Sequence, residues 1–177
     1  MLKHLKTLAL AATLATTAAT CTPAVAGSLQ SGPPAPEFAG ISTWLNSEPL
    51  TIQKLRGKVV LVDFWTYTCI NCINTLPYVK SWHQKYKDQG LAVIGVHTPE
   101  YPFERDTDNV KTAIRRFGIT YPVAQDNQYA TWTAYDNQYW PAFYLIDRKG
   151  EVVYSHFGEG DYAQTEAAIQ ALLARKD

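Results

Sequence analysis

Residues 58–72 read Lys58-Val59-Val60-Leu61-Val62-Asp63-Phe64-Trp65-Thr66-Tyr67-Thr68-Cys69-Ile70-Asn71-Cys72. From Lys58 to Phe64 the chain is β-branched and continuously apolar up to its aspartate, which predicts a central strand buried on both faces. Cys69 and Cys72 stand where that strand gives way to a helix, predicted over 69–87 from Ile73, Leu76, Val79, Trp82 and Tyr86 at three-to-four spacing, with Pro77 expected to kink it. Two cysteines three residues apart on a first helical turn place both sulfurs on one face, within disulfide reach. A helix N-terminus offers unpaired N–H groups and partial positive charge, so it favours thiolate at Cys69. Lowering a thiol pKa from about 8.5 to about 7 raises the thiolate fraction at neutral pH from roughly 3% to half. Cys69 is therefore the expected attacking sulfur, and Cys72, one turn deeper, the resolving one.

Outward from this run, 91–96 reads as a second buried strand, 108–117 as a helix closed by Gly118, and 129–135 as a short helix. Strands are predicted over 142–147 and 151–157, joined as a hairpin by Arg148-Lys149-Gly150. Asp161 is the expected cap of a closing helix through Arg175, with Ile169, Leu172 and Leu173 on its buried face. The result is an α/β domain over 37–177, a mixed central sheet with helices on both faces. Residues 27–36, Gly-Ser-Leu-Gln-Ser-Gly-Pro-Pro-Ala-Pro, read as a flexible arm, because proline fixes φ and removes donors. Tyr129, Trp132 and Tyr135, at helical spacing, either pack the short helix on the sheet or form an aromatic lip for a peptide. His83 and His156 stand singly and are given no chemistry.

Residues 1–26 read as a cleavable signal peptide: Lys3 and Lys6 precede a weakly apolar stretch over 7–20, and Ala24-Val25-Ala26 has the small-x-small pattern of a cleavage site. The protein is thus expected to be exported, to the periplasm or its equivalent. Lipidation at Cys21 is the disfavoured alternative, since Ala18-Ala19-Thr20 lacks the usual large apolar residue. No later window holds the roughly 20 uncharged apolar residues of a membrane span. The 177 residues carry 16 basic and 16 acidic side chains, so there is no basic face for nucleic acid. An apolar content of 46% argues against disorder. Of the three cysteines, the signal takes Cys21, and the odd count resolves into one pair.

Other uses of that pair meet obstacles in their neighbours. A structural disulfide closing a two-residue loop restrains the unfolded chain little. A zinc site lacks a second pair, and haem attachment lacks a histidine at position 73, which is Ile73. A Cu(I) site built from Cys69, Cys72 and His97 stays open.

The Val62–Cys72 run followed by Leu76-Pro77, together with Trp140-Pro141-Ala142-Phe143-Tyr144-Leu145-Ile146-Asp147 and Gly150-Glu151, resembles the thioredoxin fold's active-site strand and helix and its proline loop and hairpin. Ala35-Pro36-Glu37-Phe38, Gly95-Val96-His97-Thr98-Pro99-Glu100 and Tyr121-Pro122-Val123 are similar to the TlpA-like branch of the redoxins, and within it to DipZ-like periplasmic domains. The resemblance implies a thioredoxin fold with an inserted strand/helix segment and an N-terminal extension. It also implies a thiol:disulfide oxidoreductase with no cofactor beyond the redox-active Cys69–Cys72 disulfide and no metal.

Asp63 matches the family's buried acid, whose raised pKa would let it accept the proton of Cys72. Pro141 matches the cis-proline facing the disulfide. Trp140, Trp65, Tyr67 and Glu100 are the candidate substrate contacts, Glu100 also as a carboxylate near the cysteines. The implied partners are protein dithiols or disulfides. Because DipZ-like chains carry their own membrane electron conduit and no such segment is found here, a separate CcdA-like or DsbD-like membrane reductant is expected. Thr75 stands where cytochrome c maturation relatives often have an acid, Thr68 replaces the usual Trp, and Ile70-Asn71 replaces Gly-Pro, so neither haem-protein substrates nor thioredoxin's potential carries over. A redoxin-type peroxidase is the enzymatic alternative: Thr66 suits it, but Val62 stands where its proline is expected.

Overall fold

The computed structural model describes residue 29 and residues 31–175. The signal segment and Cys21 lie outside the described residues. Six strands, β1 Thr43–Leu45, β2 Val59–Trp65, β3 Leu91–His97, β4 Val123–Gln125, β5 Ala142–Ile146 and β6 Val152–Phe157, form one sheet. Their order is β1-β4-β3-β2-β5-β6, with β2–β3 and β3–β4 parallel and the other pairs antiparallel. The helices are α1 Ile70–Tyr86, α2 Thr107–Phe117, α3 Ala130–Ala134 and α4 Tyr162–Ala174. No helix among the described residues is long and apolar enough to cross a membrane.

All seven residues of β2 are buried, as the apolar run requires of a central parallel strand. Its alternate side chains feed two cores. Val59, Leu61 and Trp65 join Leu76, Val79 and Trp82 of α1, Val110 and Ile114 of α2, and Ile169 and Leu172 of α4. Val60, Val62 and Phe64 point the other way, to Ile94, Val96, Tyr144, Ile146 and the turn carrying Ile52 and Leu55. Each fully buried aliphatic side chain contributes about 1.5–3 kcal/mol, so the α1 face holds much of the stability. Helix α1 runs unbroken through Pro77, whose ring is exposed, while Cys72, Leu76, Val79, Trp82 and Tyr86 are buried.

Four expectations change. Strands β1 and β4, three residues each, have no periodicity to read and exist through the pairs they make: Thr43 of β1 lies opposite Gln125 of β4, and β4 runs parallel to β3 with Val123 beside Gly95. Asp161 occupies the N-cap of α4 in the left-handed region and makes no capping bond; its carboxylate lies 3.7 Å from Nδ1 of His156. The capping aspartate is Asp106, whose Oδ1 accepts from the backbone of Asp108 at 2.8 Å and Asn109 at 3.2 Å, so α2 begins earlier than expected. The arm read as flexible is tied down over its described part. The carbonyl of Pro33 accepts from Val152 at 2.9 Å and the N–H of Ala35 donates to Gly150 at 2.8 Å. Proline has no donor to give, but its carbonyl still pairs with a strand edge.

The aromatic segment follows the packing reading. Trp132 and Tyr135 meet Phe64 edge-on at 5.7 and 5.5 Å, and Tyr135 meets Tyr144 at 5.2 Å.

Candidate active site at the end of the central strands

Register brings the site together. Trp65 pairs with His97 and Phe64 with Ala142, so the chain leaving β2, the loop after β3 and the Trp140–Pro141 segment meet at one end of the sheet. That is the carboxyl end of the parallel strands, where open α/β sheets place their sites.

Cys69 is the N-cap of α1, in extended conformation, and its Sγ accepts from the backbone N–H of Cys72 at 3.3 Å. Both thiols are free; Cys69 is half-buried and Cys72 wholly buried. The thiol of Cys72 donates to Cys69 and, with the backbone N–H groups of Cys72 and Asn71, brings the Cys69 pKa down to about 7, against burial and the charge of Glu100. Cys72 moves the opposite way, raised by burial, by its bond to Cys69 and by the charges of Cys69 and Asp63. The pair is thus a half-buried sulfur, about half thiolate near pH 7, over a buried thiol.

Asp63 is completely buried, and neither carboxylate oxygen has a hydrogen-bond partner. Burial first, and the Cys69 charge second, push its pKa up to about 8. A carboxyl that titrates near neutrality within reach of the Cys72 thiol's field is poised to exchange a proton with it.

The remaining expected residues divide. Pro141 is buried and its peptide bond with Trp140 is cis. The indole of Trp140 is partly buried; its Nε1 donates to Thr98 at 3.0 Å and its ring packs on Trp132 at 4.2 Å. Trp65, expected to touch substrate, is fully buried: it follows Asp63 by two, and strand alternation turns it into the core beneath α1. Tyr67 stays partly exposed, its ring stacked on His97 at 5.5 Å and its hydroxyl donating to the Phe103 carbonyl at 3.2 Å. Glu100 is exposed and close enough for its charge to act on Cys69.

The copper arrangement is not assembled. His97 is wholly buried against Trp65 and Tyr67, its Nε2 faces Thr66 Oγ1 at 3.3 Å, and burial drops its pKa to about 4. Among the described residues no group of three His, Cys, Asp or Glu side chains is placed to hold a metal ion. Thr66, which favoured a peroxidase, is also fully buried, its hydroxyl turned to His97.

Glu104 is the site residue that sequence reading missed. It is fully buried and accepts from Thr68 Oγ1 at 2.5 Å and from the backbone of Glu100 and Tyr101 at 2.6 and 2.9 Å. Burial pushes its pKa up, but the bonds from Thr68, Tyr101, Thr66 and Glu100 outweigh it, and the net shift is downward. This carboxylate fastens the loop after β3 to the residue just before Cys69. The available signal was Tyr101-Pro102-Phe103-Glu104, proline at a first helical position followed by an acid that closes a capping box. On the outside of the same loop Tyr101 and Phe103 stack at 5.6 Å, and with Ile70 they leave large apolar surfaces exposed at 48%, 55% and 65%.

The redoxin family model matches residues 30–173. DipZ of Mycobacterium tuberculosis is 55% identical over 151 residues, 84% of this chain and 22% of that protein, so the chain spans about a fifth of that relative's length. The thiol-disulfide oxidoreductase YkuV of Bacillus subtilis is 31% identical over 144 residues, covering 81% of this chain and 97% of YkuV. A crystal structure of a thiol-disulfide isomerase from Corynebacterium glutamicum superposes with a TM-score of 0.72 at 30% identity, covering 80% of this chain and 98% of that one. With a thioredoxin fold, an ionisable cysteine at a helix cap and a match along nearly the whole domain, the chain belongs to the redoxin family.

Proposed function

We propose that this chain is an exported thiol:disulfide oxidoreductase that works by exchange through Cys69 and Cys72 and runs in the reducing direction. The observation that carries the reading is the hydrogen-bonded pair itself, a half-buried Cys69 brought down to about 7 over a buried Cys72. The Cys69 thiolate attacks a substrate disulfide, forms a mixed disulfide and releases the first substrate sulfur as thiolate. Mixed-disulfide formation removes the Cys69 charge that helps to keep Asp63 protonated; Asp63, as the carboxylate, then takes the proton of Cys72, and the new thiolate attacks Cys69. The Cys69–Cys72 disulfide forms, the mixed disulfide breaks, and the second substrate sulfur leaves with the electron pair. Two electrons have passed from the dithiol to the substrate.

The apolar rim of Ile70, Tyr101 and Phe103 suits a protein substrate, which would cover Cys69. An exported compartment oxidises dithiols by default, so the reducing direction needs a renewed supply of electrons, which we assign to a CcdA-like or DsbD-like membrane protein. The sequence pattern of residues 1–26, read as a signal peptide, supports export. A thioredoxin-like potential near −270 mV and a DsbA-like one near −120 mV differ by about 7 kcal/mol, so titration against glutathione separates the directions. We expect the lower value; a potential above about −150 mV would overturn the reducing assignment. Trapping with Cys72→Ser tests the exchange itself. Mixed disulfides should accumulate with that variant and not with Cys69→Ser.

A further inference from the structure

Three consecutive residues between β2 and α1 are each tied to the end of β3 or the loop after it. Thr66 Oγ1 lies 3.3 Å from Nε2 of His97, and the same hydroxyl donates to the Glu104 carboxylate. The Tyr67 hydroxyl donates to the Phe103 carbonyl at 3.2 Å, and Thr68 Oγ1 donates to Glu104 Oε1 at 2.5 Å. One residue earlier, the Trp65 carbonyl accepts from the N–H of Thr98 at 3.1 Å. The second oxygen of Glu104 takes the N–H groups of Glu100 and Tyr101, so one buried carboxylate grips both sides of this joint. Hydrogen bonds to an ionised carboxylate are roughly twice as strong as neutral ones, which makes the joint stiff.

The joint presents a backbone donor to the cysteine pair. The N–H of Thr66 is turned to the Cys72 sulfur, where it favours the thiolate against burial. Thr66 and Cys72 are both completely buried, so solvent does not reach that sulfur to replace a misplaced donor. The donors to Cys69 have a different origin: the thiol and N–H of Cys72 and the N–H of Asn71 all belong to the start of α1. The two sulfurs thus depend on different supports, Cys69 on the helix end and Cys72 also on the segment that Glu104 holds. We propose that Glu104 is a positioning residue for the resolving step, holding the Thr66 hydroxyl so that the Thr66 N–H meets the Cys72 thiolate as it forms. This rests on the thiol-exchange reading above. In that step the Cys72 proton goes to the Asp63 carboxylate, the Cys72 sulfur bonds to Cys69, and the substrate sulfur leaves with the electron pair of the mixed disulfide. Negative charge resides on Cys72 in between, and a donor already in place stabilises it without rearrangement. The other groups facing Cys72 are Cys69 and Asp63, whose charges oppose its ionisation. The charge of Glu104 acts on Tyr67, His97 and Tyr129.

One equivalent of 5,5′-dithiobis(2-nitrobenzoate), mixed with the reduced full chain in stopped flow, reads both steps, because Cys69 attack releases one coloured thiolate and Cys72 resolution a second. Thr66→Val keeps the β-branched shape and removes the hydroxyl that Glu104 holds, and Glu104→Gln keeps an acceptor oxygen while weakening its bonds. Each should leave the first release within about twofold of wild type, slow the second by about fivefold or more, and move the midpoint of its pH profile upward. On the Thr66→Val background Glu104→Gln should add less slowing than it causes alone, since it acts through that hydroxyl. A merely structural role would lower stability without moving the ratio of the two rates. Wild-type ratios and pH midpoints in both variants, or equal slowing of both releases, would overturn the proposal. So would a faster second release in Glu104→Gln, the sign expected if Glu104 acted on the cysteines by its charge. Failure of the underlying reading looks different: wild type releasing only one thiolate would sink exchange by the pair, whatever the variants do.

Discussion

Asp63 carries its cost in the strand where it stands. Its pKa rises from 3.8 in the unfolded chain to about 8 in the fold, because burial and the Cys69 charge disfavour the carboxylate. Between those values the folded state holds a proton that the unfolded chain has lost, so stability falls as pH rises through that window. Asp63→Asn has no charge to lose. It should flatten the pH dependence from pH 4 to 8 and raise stability at pH 7 by up to about 4 kcal/mol, measured as urea midpoints of the reduced protein across pH. A variant no more stable than wild type at pH 7 would mean that the carboxylate is satisfied in the fold. Cys69 makes the complementary case. Its largest source of acidity is the Cys72 thiol. Iodoacetamide alkylation should titrate with a midpoint near 7 in wild type and climb toward the free value of about 8.5 in Cys72→Ala, which has no donor to offer. Cys72→Ser, whose hydroxyl still donates, should fall between the two.

At the scale of elements, helix starts and the loop after β3 carry the testable differences. Asp106 caps α2 with two backbone bonds, whereas Asp161 caps nothing. Asp106→Ala should therefore cost about 1 kcal/mol in chemical denaturation and Asp161→Ala close to none. Equal losses would mean that cap geometry does not separate the two helices. Glu104 holds two backbone N–H groups and the Thr68 hydroxyl on one buried carboxylate. Glu104→Ala leaves all three without an acceptor and should cost about 3 kcal/mol, while Glu104→Gln, which keeps an acceptor oxygen, should cost about 1. A loss under about 1 kcal/mol for the alanine variant would show that the loop finds other partners.

Over the whole molecule the sheet separates chemistry from support. The cysteines lie at the end of the sheet where β5 begins, and the arm docks on Gly150 and Val152, at the hairpin where β5 has ended. Removing residues 27–34 deletes the Pro33 bond and the Leu29 packing. It should lower stability by about 1–2 kcal/mol and leave the Cys69 alkylation rate unchanged, two readouts of one truncation. A changed alkylation rate would show that the arm is coupled to the site.

The β2–α1 unit and its cysteine pair were legible from residues 58–87, because a buried strand, a helical stripe and a helix N-terminus are local properties of consecutive residues. Asp63 stood out for the same reason, an acid inside an apolar run. Strands β1 and β4 were not legible, since three residues have no period and only pairing makes them strands, β1 with β4 and β4 with β3 as well. Trp65 was misplaced for want of one step of alternation, and Glu104 reads like any solvated loop acid until Thr68 and two backbone N–H groups are seen to close on it. The order of residues thus specifies the cysteine pair, the helix N-terminus on which it sits and the strand that presents it. Tertiary structure alone decides which carboxylates are buried and which tryptophan faces the core. Burial and register join residues that lie far apart in the chain, and no local pattern encodes that meeting.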